Sequence, residues 1–339
     1  MRKVKLIDTT LRDGSHAMHY QYTPEQVYNI SKALDEAGVY AVDVGHGAGV
    51  GGSVLQYGLS KHSDEELLTA AAAALKRAKL CVLLVPGLGT MEDLKLAHRC
   101  GATMVRVAVH CTEVDIGAQH IRLGKELGME VASFHMMTHM TTPEALAEQA
   151  RMAASYGADM IYIADSSGAM LPYDVEARVR AVQQAVPHLP IGVHCHNNLG
   201  LGIANPLAAV DAGAEFIDGA LEGWGAGCGN TSTQNIAAVL AKAGIDTGAD
   251  WYKLAEAGQK YVRPLVNHSL EVTNEALVLG IAGIYSSFYL RVLEASEKSG
   301  VPARYIFEEL GKRKVVGGQE DVILDVVLEY QAQAKKEQQ

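Results

Sequence analysis

No run of this sequence is apolar for long enough to cross a membrane or to act as a secretory leader, and Met1-Arg2-Lys3 leads straight into a short strand-like segment. There is no basic stripe, and a formal net charge of −10 argues against a nucleic-acid partner. The five cysteines, Cys81, Cys100, Cys111, Cys195 and Cys228, form no Cys-x-x-Cys pair, so reduced and mostly structural thiols in a cytoplasmic protein are expected. No Gly-x-Gly-x-x-Gly follows the first strand, which counts against a doubly wound dinucleotide-binding sheet. What is present is a globular composition: 339 residues, 48% apolar, with 34 glycines suited to many tight turns.

The apolar runs are short and regularly spaced. Strands are expected at about 4–8, 39–44, 80–85, 104–109, 130–134, 160–164, 191–195 and 216–220. Helical patterns separate them, several opened by a cap and a first-turn proline or acid, as in Thr23-Pro24-Glu25, Ser63-Asp64-Glu65-Glu66 and Thr142-Pro143-Glu144. Strands apolar on both faces belong in a parallel sheet covered by helices. Eight such units by about residue 245 predict a (β/α)8 TIM barrel, and a doubly wound sheet ranks below it. From about Asp250 the strands stop and five helical patterns follow. The expected division is a catalytic barrel over 1–249 and an all-helical C-terminal appendage over 250–339.

Two stretches carry chemistry. The first strand ends in Asp8-Thr9-Thr10-Leu11-Arg12-Asp13-Gly14-Ser15-His16. This stretch suits a polar turn before a helix. It equally suits a metal site that handles an oxyanion, with Asp13 as hard ligand, Arg12 as fixed cation and His16 as proton carrier. The seventh strand ends in His194-Cys195-His196-Asn197-Asn198. Residues two apart on a strand share a face, so His194 and His196 point into the barrel mouth and Cys195 points away. Paired neutral imidazoles fill a core poorly and ligate metals well. One Asp and two His leave open positions on a divalent ion, with Mn2+ favoured and Mg2+ or Co2+ possible. Such an ion can chelate a 2-keto acid and stabilise its enolate. Arg12 is then placed beside the enolate oxygen, and His16 is a candidate general base.

Asp8-Thr9-Thr10-Leu11-Arg12-Asp13-Gly14 together with His194-Cys195-His196-Asn197 resembles the signature of the metal-dependent aldolase and Claisen-condensing barrels. The acyl-CoA-using members of that superfamily, relatives of hydroxymethylglutaryl-CoA lyase and isopropylmalate synthase, are the alternative. They usually carry an Asp where Asn198 stands and a Glu-Arg pair that Gly225 to Asn230 lacks. Gly45 to Ser53, Met136-Met137-Thr138-His139-Met140 and Val316-Gly317-Gly318-Gln319-Glu320-Asp321 are instead similar to the 4-hydroxy-2-oxovalerate aldolases, across nearly the whole chain. His135 departs from the apolar residue expected before the Met pair, and could alter the mouth of the site.

This resemblance implies a class II pyruvate aldolase of aromatic meta-cleavage degradation. It would cleave 4-hydroxy-2-oxopentanoate to pyruvate and acetaldehyde beside an acylating acetaldehyde dehydrogenase. It implies that His16 takes the C4 hydroxyl proton, that Ser166 contacts substrate, and that Tyr285 reaches over the site from the appendage. His46, His135 and His139 are expected to be structural, and the other histidines, His268 among them, to be surface or helix residues.

Overall fold

A computed structural model describes residues 2–266 and 271–337; His268 lies outside them. Eight parallel strands among the described residues close into a barrel: β1 (Lys5–Asp8), β2 (Ala41–Asp43), β3 (Lys79–Leu84), β4 (Met104–His110), β5 (Glu130–Met136), β6 (Met160–Asp165), β7 (Ile191–Cys195) and β8 (Phe216–Gly219), with β8 pairing back to β1. Helices connect the strands. The expected TIM barrel is therefore present. No described helix is long and apolar enough to cross a membrane.

Alternation within each strand makes two layers. Leu6, Val42, Val82, Val105, Val107, Val131, Ile161, Val193 and Ile217 face the helices, in one continuous apolar cluster. Ile7, Ala41, Cys81, Leu83, Met104, Ala132, Phe134, Met160, Tyr162 and Phe216 fill the lumen. Gly192 leaves room for the Tyr162 ring, which a Cβ there would strike.

Three charged residues in the middle of the lumen break the apolar rule. Asp43, Arg106 and Asp218 are fully or almost fully buried. Arg106 grips Asp218 with both Nη atoms, at 2.6 and 2.8 Å, and lies 3.5 Å from Asp43. Arg12 Nε donates to that same Asp43 oxygen at 3.0 Å. The resulting chain of alternating charges threads the barrel towards its C-terminal mouth. A buried charge is tolerated only when paired and hydrogen-bonded.

Two expectations change. Strand β5 runs on to Met136, and because Phe134 and Met136 belong to the lumen, His135 faces the helix layer. It is fully buried there, 2.9 Å from Ser133 Oγ, and burial lowers its pKa to about 4. It therefore does not shape the mouth of the site. The helix Trp251–Ala257, expected in the appendage, packs on the barrel helices Pro24–Ala37 and Thr233–Lys242, and Leu254, Ala257 and Val262 join the barrel's apolar cluster. The later helices, Asn274–Ala282, Phe288–Ser299, Ala303–Arg313 and Val322–Glu337, build a second core around Leu279, Phe288, Phe307 and Val326.

Replacing Arg106 by Leu should lower stability by about 3–5 kcal/mol, because it leaves buried Asp218 with a neutral imidazole as partner and Asp43 with Arg12 alone. Urea unfolding followed by circular dichroism measures this. An unchanged midpoint would mean that the charge chain does not support the fold.

Candidate metal centre and active site

Strand β1 delivers its chemistry through a tight turn. The carbonyl of Thr9 accepts from the amides of Arg12, Asp13 and Gly14, and the short helix Gly14–Ala17 begins at once. Gly14 is required because a Cβ there would come within 2.6 Å of the Trp224 ring. The turn sends Arg12, Asp13 and His16 towards the lumen mouth, opposite His194 and His196. These five line one cavity of about 70 Å³ with Ser166 and Tyr285. Its apolar wall is Leu83, Val85, Leu88, Phe134 and Met136.

The ligand atoms of Asp13, His194 and His196 all lie within 4.8 Å of one another, and all three residues are buried. Hydrogen bonds fix both imidazoles. His194 Nδ1 faces Asp218, 2.9 Å away, whose carboxylate is already held by Arg106. His196 Nδ1 faces the carbonyl of Ala226 at 3.2 Å. Both partners can only accept, so both rings carry their proton on Nδ1. The two Nε2 lone pairs then confront each other 3.3 Å apart. Two acceptors without a proton between them repel, and a cation resolves the conflict. Burial pushes the His196 pKa down to about 4, keeping that ring neutral and ready to ligate.

Asp13 is equally prepared. One carboxylate oxygen accepts from Arg12 Nη1 at 2.8 Å, and the other from Asn230 Nδ2 at 2.6 Å and the Ala226 amide at 3.1 Å. Burial opposes its charge, but Arg12 and the nearby histidines outweigh burial and hold it well below the usual carboxylate range. The donor set therefore fits a divalent ion.

Arg12 uses Nε on Asp43 and Nη1 on Asp13, while Nη2 is buried with no hydrogen-bond partner. His16 lies across the cavity, its Nδ1 3.0 Å from Tyr20 Oη and its other ring edge against Gly47. Burial lowers its pKa, partly offset by Asp13. Ser166 Oγ accepts from the Met137 amide at 3.0 Å, which leaves its own proton free for a ligand. Tyr285 is half-buried with its hydroxyl 3.8 Å from Met136 Sδ, and burial raises its pKa.

Several contributors were not visible in the sequence. Asp218, Arg106 and Asp43 brace the ligands from below, and Asn230 holds Asp13 from the side. Asn198 latches the Tyr285 segment in place. Its amide nitrogen donates to the Ser167 carbonyl and to Ser286 Oγ, both at 2.9 Å, while its oxygen accepts from the Cys228 amide. Ser286 in turn donates from its hydroxyl and its amide to the Ser166 carbonyl. Of the other histidines, His46 is fixed by the loop around it and His139 by the carbonyl of Gly283. The glycines after β2 serve close packing, with Gly47 against His16 and Gly49 against the Leu83 carbonyl.

A (β/α)8 barrel with one carboxylate and two imidazoles converging at the carboxyl ends of its strands defines the chain as a metal-centred barrel enzyme. Residues 3–260 match the HMGL-like family, and residues 270–332 match the DmpG-like communication domain. By sequence the chain belongs to the 4-hydroxy-2-oxovalerate aldolase family. It is 52% identical over 328 residues to the 4-hydroxy-2-oxovalerate aldolase of Carboxydothermus hydrogenoformans, covering 97% of each chain. It is 53% identical over 335 residues to that of Moorella thermoacetica, covering 99% of this chain and 98% of that one. Among solved structures, the N-terminal domain of a putative aldolase from Bacteroides vulgatus superposes with a TM-score of 0.72 at 24% identity, over 88% of this chain and 99% of that one. The carboxyl transferase domain of Rhizobium etli pyruvate carboxylase gives 0.82 at 18% identity, over 98% of this chain and 61% of that one. These two likenesses are likenesses of fold.

The wild-type protein should bind one divalent ion per chain, read by calorimetry on metal-stripped protein. Asp218→Asn should weaken that binding by about 10- to 100-fold, since Asp218 orients a ligand without touching the ion. Unchanged affinity in this variant would remove Asp218 from the centre.

Proposed function

We propose that the protein is a metal-dependent aldolase that splits 4-hydroxy-2-oxopentanoate into pyruvate and acetaldehyde and joins them in reverse. The observation that carries this reading is the unpartnered Nη2 of Arg12, buried beside three convergent metal ligands and facing the cavity that His16 also lines. An unused cationic donor in this cavity suits a substrate in which negative charge develops on oxygen.

A bound divalent ion, Mn2+ in our reading, supplies a Lewis acid for the 2-keto group. Asp13, His194 and His196 would hold it. Arg12 Nη2 donates to the C2 oxygen as that oxygen gains charge. His16 takes the C4 hydroxyl proton. The C3–C4 bond then breaks, C4 becomes the aldehyde carbonyl, and the electron pair passes into the pyruvate enolate. Ser166 Oγ–H is available to the substrate carboxylate, and the Tyr285 hydroxyl orients the C4 end. The apolar wall suits the methyl group of the aldehyde.

We assign catalysis to the barrel, and lid and docking roles to the helical region that follows it. The match to a communication domain supports docking of an acylating acetaldehyde dehydrogenase, which would receive the reactive aldehyde. Leu324 and Leu328 support it too: they are 62% and 54% exposed and one helical turn apart. The five free thiols are consistent with a reducing cytoplasm.

Pyruvate release from 4-hydroxy-2-oxopentanoate tests the reading. Metal-stripped protein should be inactive, and Mn2+, Mg2+ or Co2+ should restore turnover, with Mn2+ giving the highest rate. Arg12→Lys, which keeps the charge and loses the planar fork, should cost about 10²-fold or more in turnover. Full activity of stripped protein, or normal turnover in Arg12→Lys, would refute the mechanism. Docking is tested separately: Leu324→Glu with Leu328→Glu should weaken association with the dehydrogenase in analytical ultracentrifugation and leave isolated aldolase activity intact. Association at wild-type strength would move the interface elsewhere.

A further inference from the structure

The segment after His16 is built in an unusual way. The helix Gly14–Ala17 stops after a single turn, and His19 and Tyr20 then both adopt left-handed backbone, at φ 48° and 62°. Two consecutive non-glycine residues in that region are costly and persist only where surrounding structure holds them. Here the holding contacts converge on Tyr20. Its amide donates to the Ser15 carbonyl at 2.8 Å, and its own carbonyl accepts from the Lys61 amide at 3.1 Å. Its ring stacks on His46 at 3.8 Å with 21° between planes. Gly58, at φ 109°, approaches so closely that a Cβ would lie 2.5 Å from the Tyr20 ring.

His46 is itself locked. Its Nδ1 accepts from the Ala48 amide at 3.0 Å, which leaves Nε2–H to donate to the Gly58 carbonyl at 3.1 Å. It is a neutral stacking platform, and burial lowers its pKa to about 3. The outcome of this scaffolding is the placing of the hydroxyl: Tyr20 Oη sits 3.0 Å from His16 Nδ1, with the Arg291 side chain donating to the same oxygen.

His16 also divides two spaces. It lines the cavity with Arg12 and Asp13, and it lines an open vestibule of about 700 Å³ with Tyr20, Gln56 and Arg291. A base that gains a proton at Nε2 on the cavity side, where the Gly47 backbone can accept it, becomes imidazolium and needs an acceptor for its Nδ1–H on the other side. A phenol meets that need, since its oxygen has two lone pairs, one for His16 Nδ1–H and one for the Arg291 side chain that reaches it from the vestibule. Burial raises the Tyr20 pKa to about 12, so it stays a neutral phenol and does not compete as a base.

We propose that Tyr20 is the positioning residue for His16: its hydroxyl accepts the Nδ1–H bond, so that the Nε2 lone pair faces the substrate's C4 hydroxyl and the imidazolium formed there is stabilised. This rests on His16 being the base, and the test separates the two ideas. Full-length, metal-loaded protein is assayed for cleavage of 4-hydroxy-2-oxopentanoate and for decarboxylation of oxaloacetate, which forms the same enolate without deprotonating a hydroxyl. Tyr20→Phe keeps the stacked ring and should lower kcat for cleavage about tenfold, the worth of one hydrogen bond to a charged group, with KM and decarboxylation little changed. Nitrogen-15 spectra of histidine-labelled, Mg2+-loaded protein, with His16 identified by its absence in His16→Ala, should show the proton on Nδ1 in the wild type and a mixture of tautomers in Tyr20→Phe. Unchanged cleavage, an equal fall in both reactions, or a wild-type proton on Nε2 would each overturn the role of Tyr20. His16→Ala should abolish cleavage and spare decarboxylation; an equal loss in both would instead overturn His16 as the base.

Discussion

Two imidazole lone pairs pointed at each other inside a barrel are the constraint on which the rest of this structure depends. Nothing in an apolar core would hold His194 and His196 that way. Each is held from behind, one by a carboxylate and the other by a backbone carbonyl. The carboxylate, Asp218, in turn needs Arg106, which lies between it and Asp43, and Asp43 reaches Arg12. The lumen of an ordinary barrel is filled by branched apolar side chains in layers. Here one of those layers is exchanged for an alternating run of charge, so the packing of the barrel and the orientation of its ligands become the same problem.

The architecture was readable in the sequence because it rests on local periodicity. Eight apolar runs with capped helices between them give a barrel under any reasonable choice of boundaries, and His194 and His196 share a face simply because a strand repeats every two residues. The bracing residues were not readable, for a physical reason. Asp43, Arg106 and Asp218 are single charges inside apolar strands far apart in the chain, and only closure of the barrel makes them partners. His135 shows a different shortfall. Its neighbours Phe134 and Met136 are inward, so alternation alone sends it outward once β5 is known to continue past Phe134. The helix Trp251–Ala257 was misplaced because an amphipathic pattern does not say which core it serves.

The segment carrying Tyr285 is coupled to the centre through very little chain. Asn198 lies two residues beyond His196, and its amide reaches Ser286, the neighbour of Tyr285. A carboxylate in its place has no proton to donate, so the amide is what lets the end of β7 hold the loop before Phe288–Ser299. The barrel can therefore keep a metal centre and borrow its roof from a separate core, with Ser166 common to both through its carbonyl.

The charge run also sets an order of events. Asp13, Asp43 and Asp218 bring three negative charges to the lumen, and Arg12 and Arg106 bring two positive ones, which leaves the site one unit negative. A 2-keto acid is itself an anion, and between buried groups like charges are poorly screened. A dication would reverse the sign to one unit positive, and a substrate carboxylate would then bring the site to neutrality. That charge count would favour a cation first and an anion second.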